Sequence, residues 1–304
     1  MSSSGSDFLL PFLIDAGAIR GRVVRLGPAL NAILEGHAYP LPVAARLAET
    51  LALAAALAGA LKFDGVFTLQ LQTDGPISLV VADVTSTGNL RGYARFDAER
   101  LTQAEAAEGQ PVPRYLGSGF LAFTVDQGPE TDRYQGIVEL AGDTLDQCVR
   151  QYFRQSEQID TAFKLALRPP ADGVGWQAAA VMIQRMPTGP FSPIYTAEEA
   201  AEAWNRAAVL LESATPGELF DPRLPAERLL YRLYHAEGLQ THEVRGLHAR
   251  CRCSAERVAG TLRSFPRTEI ESMKDESGAV VVVCEFCKTR YVFTDGDLGR
   301  LYGS

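Results

Sequence analysis

Val280-Val281-Val282-Val283-Cys284-Glu285-Phe286-Cys287, with Tyr291-Val292-Phe293 close behind, reads as strand, tight knuckle, strand, with a C-x2-C pair at the turn. A second pair, Cys251-Arg252-Cys253, lies thirty residues upstream with the spacing C-x-C. The chain has five cysteines in 304 residues, so two tight pairs take all but Cys148. Zinc prefers four ligands in a tetrahedron, and thiolates are its favoured ligands in closed sites. Cys251, Cys253, Cys284 and Cys287 are therefore the candidate ligands for one zinc ion. The C-x-C pair is unusual in structural zinc modules, and as a redox pair it would close a strained, easily reversed disulfide. His248, three residues before Cys251, could replace one sulfur.

Composition sets the frame. Hydrophobic residues make up 46% of the chain, enough for a substantial core and too many for global disorder. The net charge of −8 argues against a protein built mainly to hold nucleic acid. Residues 191–243 carry nine acidic and four basic side chains, whereas 244–304 carry ten basic and eight acidic ones. No export signal is read at the N-terminus, since Met1 to Asp7 lacks a basic stretch and Asp15 interrupts the apolar run. The longest uncharged apolar run, Thr50 to Leu61, is too short to span a bilayer. A cytosolic location with no membrane association is the expectation, and there paired cysteines bind metal or do redox chemistry.

Outward from the cysteines, the chain reads as an α+β fold in three parts. Residues 1–187 form a core domain of antiparallel or mixed sheets with packed helices. Gly21 to Leu26 opens it as a strand, and an Ala/Leu-rich helix follows from Leu41 to Lys62, with Pro42 in its first turn. Strands Val66–Gln72, Ile77–Asp83 and Leu90–Phe96 make a meander, and Gly119–Asp126 with Tyr134–Leu140 a hairpin. Leu145 to Gln155 reads as helix, and Trp176 to Arg185 as strand or buried helix, with strand preferred. Residues 188–243 form a helical, marginally stable linker that starts at the proline-rich stretch 186–193. Thr196 and Glu199 have capping-box spacing, starting a helix through Leu211, and a second helix spans Ala226 to Glu237. Their apolar stripes are thin, so each must dock on something to be ordered. Residues 244–304 form the zinc-binding module.

Other candidate features are weak. Cys148 sits on an amphipathic helix without a partner and reads as a buried, inert thiol. Gly117-Ser118-Gly119 lacks the lysine of a phosphate loop and the spacing of a nucleophile elbow, so it reads as bend glycines. No carboxylate pair, Ser/His/Asp set or dinucleotide fingerprint is present, which points away from an enzyme.

Nearly the whole chain resembles the heat shock protein 33 family, the redox-regulated 33 kDa chaperonin of bacteria. The resemblance rests on Cys251-Arg252-Cys253-Ser254, Cys284-Glu285-Phe286-Cys287 and Tyr291-Val292-Phe293 in the tail. In the core it rests on Gly21 to Leu26, Tyr39-Pro40-Leu41-Pro42, Leu61 to Gly65, Tyr134 to Val138 and Tyr152-Phe153-Arg154-Gln155-Ser156-Glu157-Gln158. It implies a cytosolic, ATP-independent holdase, inactive when reduced with one zinc on the four cysteines. Oxidation would expel zinc, form two disulfides, unfold tail and linker, and yield an active homodimer that binds unfolding client proteins. Once zinc leaves, closure within each pair costs least loop entropy, so Cys251–Cys253 and Cys284–Cys287 are the expected disulfides, with Cys148 left reduced. Two other function classes compete: a thiol oxidoreductase using Cys284 and Cys287, and a zinc-ribbon adaptor. The first lacks a helix N-terminus to activate a thiol; the second lacks a basic, aromatic stripe.

Overall fold

β1 (Phe8–Ile14) and β2 (Ile19–Leu26) form a hairpin, followed by α1 (Pro28–Glu35) and α2 (Leu41–Ala58). The meander β3 (Val66–Thr73), β4 (Ile77–Thr85) and β5 (Asn89–Phe96) comes next, then α3 (Ala98–Glu105). β6 (Gly119–Asp126) and β7 (Tyr134–Glu139) make the expected hairpin; α4 (Leu145–Tyr152), β8 (Thr161–Arg168) and β9 (Gln177–Arg185) follow. Beyond them lie α5 (Ala197–Glu212), α6 (Pro216–Phe220), α7 (Ala226–Tyr234) and three two-residue strands, β10 (Gln240–Thr241), β11 (Arg245–Gly246) and β12 (His248–Ala249). The tail holds α8 (Ala255–Arg263), α9 (Arg267–Ser272), β13 (Val280–Val283), β14 (Arg290–Phe293) and α10 (Asp295–Tyr302). This computed structural model describes residues 7–15, 18–128, 133–186 and 196–303; most of the proline-rich stretch at 186–193 lies outside them. The fold is α+β, and the chain divides into two units, Met1–Ala249 and Arg250–Ser304.

In the first unit, one sheet runs β10-β1-β2-β9-β8, with β11 also on β1, and the other runs β12-β5-β4-β3-β6-β7. α2 packs against β2, β8 and β9 of one sheet and β3, β4 and β5 of the other. It is long and apolar enough to cross a membrane, but most of it is buried inside the fold, as befits a core helix. It ends at Ala58, short of the expected Lys62, with Gly59 as C-cap. A Cβ on Gly59 would lie 2.3 Å from Leu9 Cδ1, so a larger residue there would require the Leu9 side chain of β1 to move.

The first sheet is buried on both faces, which explains the ambiguous reading of Trp176 to Arg185. Ala178, Ala180 and Met182 of β9 face the α2 core. Ala179, Val181 and Ile183 face a second core. A strand buried on both sides shows no alternation, and neither does β1: Leu9 joins the first core, and Phe8, Leu10, Phe12 and Ile14 the second.

The linker helices cover that second face. Ala207 and Leu211 of α5, Leu219 and Phe220 of α6, and Leu229, Leu230, Leu233 and Tyr234 of α7 pack into it. Tyr234 stacks on Phe12 with ring centroids 5.8 Å apart, and its Oη donates to the Ala207 carbonyl at 3.2 Å. The docking surface that the thin stripes require is thus the core sheet. α5 starts with the expected capping box, both hydrogen bonds being made between Thr196 and Glu199. Thr215 and Glu218 make a second box, on α6.

Candidate metal centre

In the second unit, β13 and β14 pair from Val280↔Phe293 to Val283↔Arg290, and Cys284 follows directly. The Cys284 amide donates to the Thr289 carbonyl at 2.9 Å, and the Lys288 amide to the Cys284 carbonyl at 2.8 Å. Lys288 takes a left-handed φ of 56°, which folds the turn back and brings Cys284 and Cys287 to one side. Cys251 and Cys253 precede α8 in irregular chain, and Ser254 anchors them by accepting the Arg257 amide at 3.3 Å. α8 runs toward a small core of Leu262, Ile270, Val280, Phe293 and Leu298.

The four sulfurs all lie within 4.8 Å of one another. Cys251 Sγ is 3.8 Å from Cys284 Sγ, and Cys253 Sγ is 3.3 Å from Cys287 Sγ. A tetrahedron with Zn–S bonds of about 2.3 Å has sulfur–sulfur edges of about 3.8 Å. The spacing and the donor set therefore fit one tetrahedral, thiophilic ion. His248 belongs to the first unit, where β12 pairs it with Asn89.

Hydroxyls surround the sulfurs. Tyr291 Oη donates to Cys253 Sγ at 3.1 Å, and Thr289 Oγ1 lies 3.2 Å from Cys287 Sγ. Such partners orient metal-bound thiolates and damp their charge. The sequence reads Tyr291 as strand and as part of the family resemblance but gives it no role at the sulfurs; a hydroxyl residue four positions after Cys287 is the available signal.

Their surroundings perturb Cys253, Cys284 and Cys287 in different directions. Burial and the neighbouring sulfurs push Cys253 up to about 12, against the opposing hydrogen bond from Tyr291. Burial also raises Cys284. Burial acts the same way on Cys287, but the hydroxyl and backbone of Thr289 outweigh it and bring this thiol to about 7. A cation among the four would favour the thiolate forms of Cys253 and Cys284 that burial disfavours.

The remaining candidates behave as structural residues. Cys148 is fully buried on α4, and burial pushes its thiol up to about 11, which suppresses the reactive thiolate. Gly117 takes a φ of 66°, and the Ser118 amide donates to Asp74 Oδ1 at 2.8 Å, so the Gly-Ser-Gly stretch is a bend leading into β6.

The Hsp33 protein family model matches residues 7–294. The chain belongs to the Hsp33 family. Among its Hsp33 relatives, a protein of Caulobacter vibrioides named 33 kDa chaperonin is 38% identical over 288 residues, 94% of each chain. One of the same name from Ectopseudomonas mendocina is 39% identical over 300 residues, covering 98% of this chain and 95% of that one. The crystal structure of the Hsp33 homologue from Thermotoga maritima superposes with a TM-score of 0.79 over 98% of both chains, at 23% identity.

Proposed function

We propose that this chain is a redox-regulated, ATP-independent holdase with a core at 1–187, a releasable linker at 188–243 and a thiol switch at 244–304. The carrying observation is the apolar sheet face of Phe8, Leu10, Phe12, Ile14, Val23, Val181 and Ile183 beneath α5–α7. Uncovered, a face of that size and composition binds unfolded chains.

In the reduced state Cys251, Cys253, Cys284 and Cys287 would hold one zinc ion, which when bound supplies the cohesion that five buried side chains cannot. Zinc binding in small thiolate modules is worth about 10–16 kcal/mol, largely as folding energy of the module. A peroxide oxidises two thiols to one disulfide: the S–S bond forms, two electrons pass to the O–O bond, and two waters leave. Two such steps, giving Cys251–Cys253 and Cys284–Cys287, remove all four ligands. Disulfides between near neighbours constrain the unfolded chain little, so the tail unfolds. The linker then follows, clients bind the freed apolar surface, and two chains associate.

The low Cys287 thiol favours a second reading, a thiol oxidoreductase. Its cause is a threonine hydroxyl in a knuckle, whereas catalytic thiols of this kind draw on a helix N-terminus. One experiment separates the two: zinc content, aggregation suppression and sedimentation of reduced and peroxide-treated protein, beside a disulfide-reductase assay. The holdase reading expects zinc loss, a rise in suppression and a doubling of mass on oxidation. Catalytic turnover of a disulfide substrate without aggregation suppression would replace it.

A further inference from the structure

The first unit carries a cleft of about 620 Å³, within the range of small-molecule sites. Its walls are Arg20 and Arg22 of β2, the chain after α2 including Lys62, the β4–β5 turn, and residues 245–248 with Arg245 and His248. Thr85, Ser86 and Thr87 add hydroxyls, and no carboxylate lines it among the described residues. The nearest acid bonded to a lining side chain is Asp64, which accepts from Ser86 Oγ at 3.2 Å. In a chain of net charge −8, this concentration of cations is a local exception.

Arg20 and Arg22 donate to uncharged oxygens. Arg22 Nε donates to the Gly59 carbonyl at 2.8 Å, with a long contact to the Gly21 carbonyl. Arg20 Nε donates to Gln184 Oε1 at 3.2 Å. Neither forms an ion pair among the described residues. Burial, then repulsion from Arg20 and Arg245, lowers Arg22 to about 10. A partly buried guanidinium gains from an anionic partner, and its planar fork matches phosphate oxygens.

We infer that this cleft binds a phosphate chain of two or three phosphoryl groups, held between Arg20 and Arg22 of β2 and Arg245 of β11. The ligand offers each guanidinium an anionic oxygen, with Lys62 and the turn hydroxyls at the rim. Because Arg22 lies on a central strand and Arg245 on a two-residue strand pinned to β1, the bound anion fastens residues 240–249 to the sheet.

Calorimetric titration of the full-length, reduced, zinc-loaded protein with pyrophosphate, at 0.1 M salt, tests this. One saturable site per chain is expected, weakened at least tenfold in both Arg245→Gln and Lys62→Gln, with amide exchange at 240–249 slowed by the ligand in wild type. Arg245 is exposed, so its replacement leaves the fold intact; thermal melting without ligand checks this. ATP is the second probe. Equal affinity for ATP assigns the site to nucleotide phosphates, and rejection of ATP assigns it to free phosphate chains. No saturable heat, or heat unchanged in both variants as extraction of zinc from the thiolates would give, overturns the proposal.

Discussion

Cys253 Sγ lies 3.3 Å from Cys287 Sγ, across thirty-four residues of chain. Cys251 likewise meets Cys284, at 3.8 Å. In the folded tail, the sulfurs so paired therefore come from different cysteine pairs. Oxidation of a folded, metal-free tail would favour Cys253–Cys287 and Cys251–Cys284. Oxidation that proceeds through unfolding favours Cys251–Cys253 and Cys284–Cys287, because local closure costs less entropy. We expect the neighbour pairs, and peptide mapping of peroxide-treated protein decides. A dominant Cys253–Cys287 link would mean that the tail stays folded while it is oxidised.

Zinc removal should act on one unit. The second unit has a core cluster of five buried side chains, and domains of its size with so little core need a staple. Treatment of reduced protein with a strong chelator is expected to abolish amide protection across β13 and β14 while β2 and β9 keep theirs. Protection of β13 surviving zinc loss would show that the tail folds without metal.

Tyr291→Phe removes the hydroxyl that donates to Cys253 Sγ and leaves the ring. Lost hydrogen bonds to metal ligands typically cost ~10-fold or more in affinity. Zinc transfer to a chromogenic chelator should accelerate by about that factor, with the reduced protein's melting temperature nearly unchanged.

Leu230 of α7 is fully buried against the first sheet. Leu230→Ala should weaken linker docking by ~2–5 kcal/mol. The proposed mechanism then expects aggregation suppression under reducing conditions with zinc still bound, and a variant as silent as wild type would count against the linker as the cover.

Glu49 gives the pH dependence. It pairs with Arg46 at 2.6 Å on α2, yet burial dominates and, with Asp146 nearby, raises its carboxyl from 4.5 to about 7. An acid raised on folding contributes stability that is complete below its unfolded value and lost as pH climbs through its folded value. Stability should thus decline between about pH 4.5 and 7, by up to ~3 kcal/mol. Denaturant melts across this window check it, and Glu49→Gln should flatten the decline.

The metal centre was readable because the spacing of Cys251, Cys253, Cys284 and Cys287 carries its own chemistry. β3 and β5 to β7 alternate along their length, β4 was readable from the turn residues around it, Asp74-Gly75-Pro76 and Thr87-Gly88-Asn89, and α5 from Thr196 and Glu199. β1 was not, because Phe8, Leu10 and Phe12 face one core and Leu9 the other, leaving an apolar run without period. β10 to β12 have no local signature at all; residues such as Gln240 and His248 become strand through pairing with distant partners. The cationic cleft was equally hidden, since Arg22, Lys62 and Arg245 come from separate segments.

The late strands have a consequence for synthesis. Thr241 pairs with Phe12 and Gly246 with Phe8, while Ala249 pairs with Leu90 of the other sheet. Roughly 230 residues must be translated between Phe12 and its partner Thr241, which at about 5–20 residues per second takes on the order of tens of seconds. During that interval the nascent chain presents an unfinished border on each sheet, the state in which strands recruit foreign ones. A protein that we propose shields others from aggregation is itself most exposed to that fate while it is still on the ribosome.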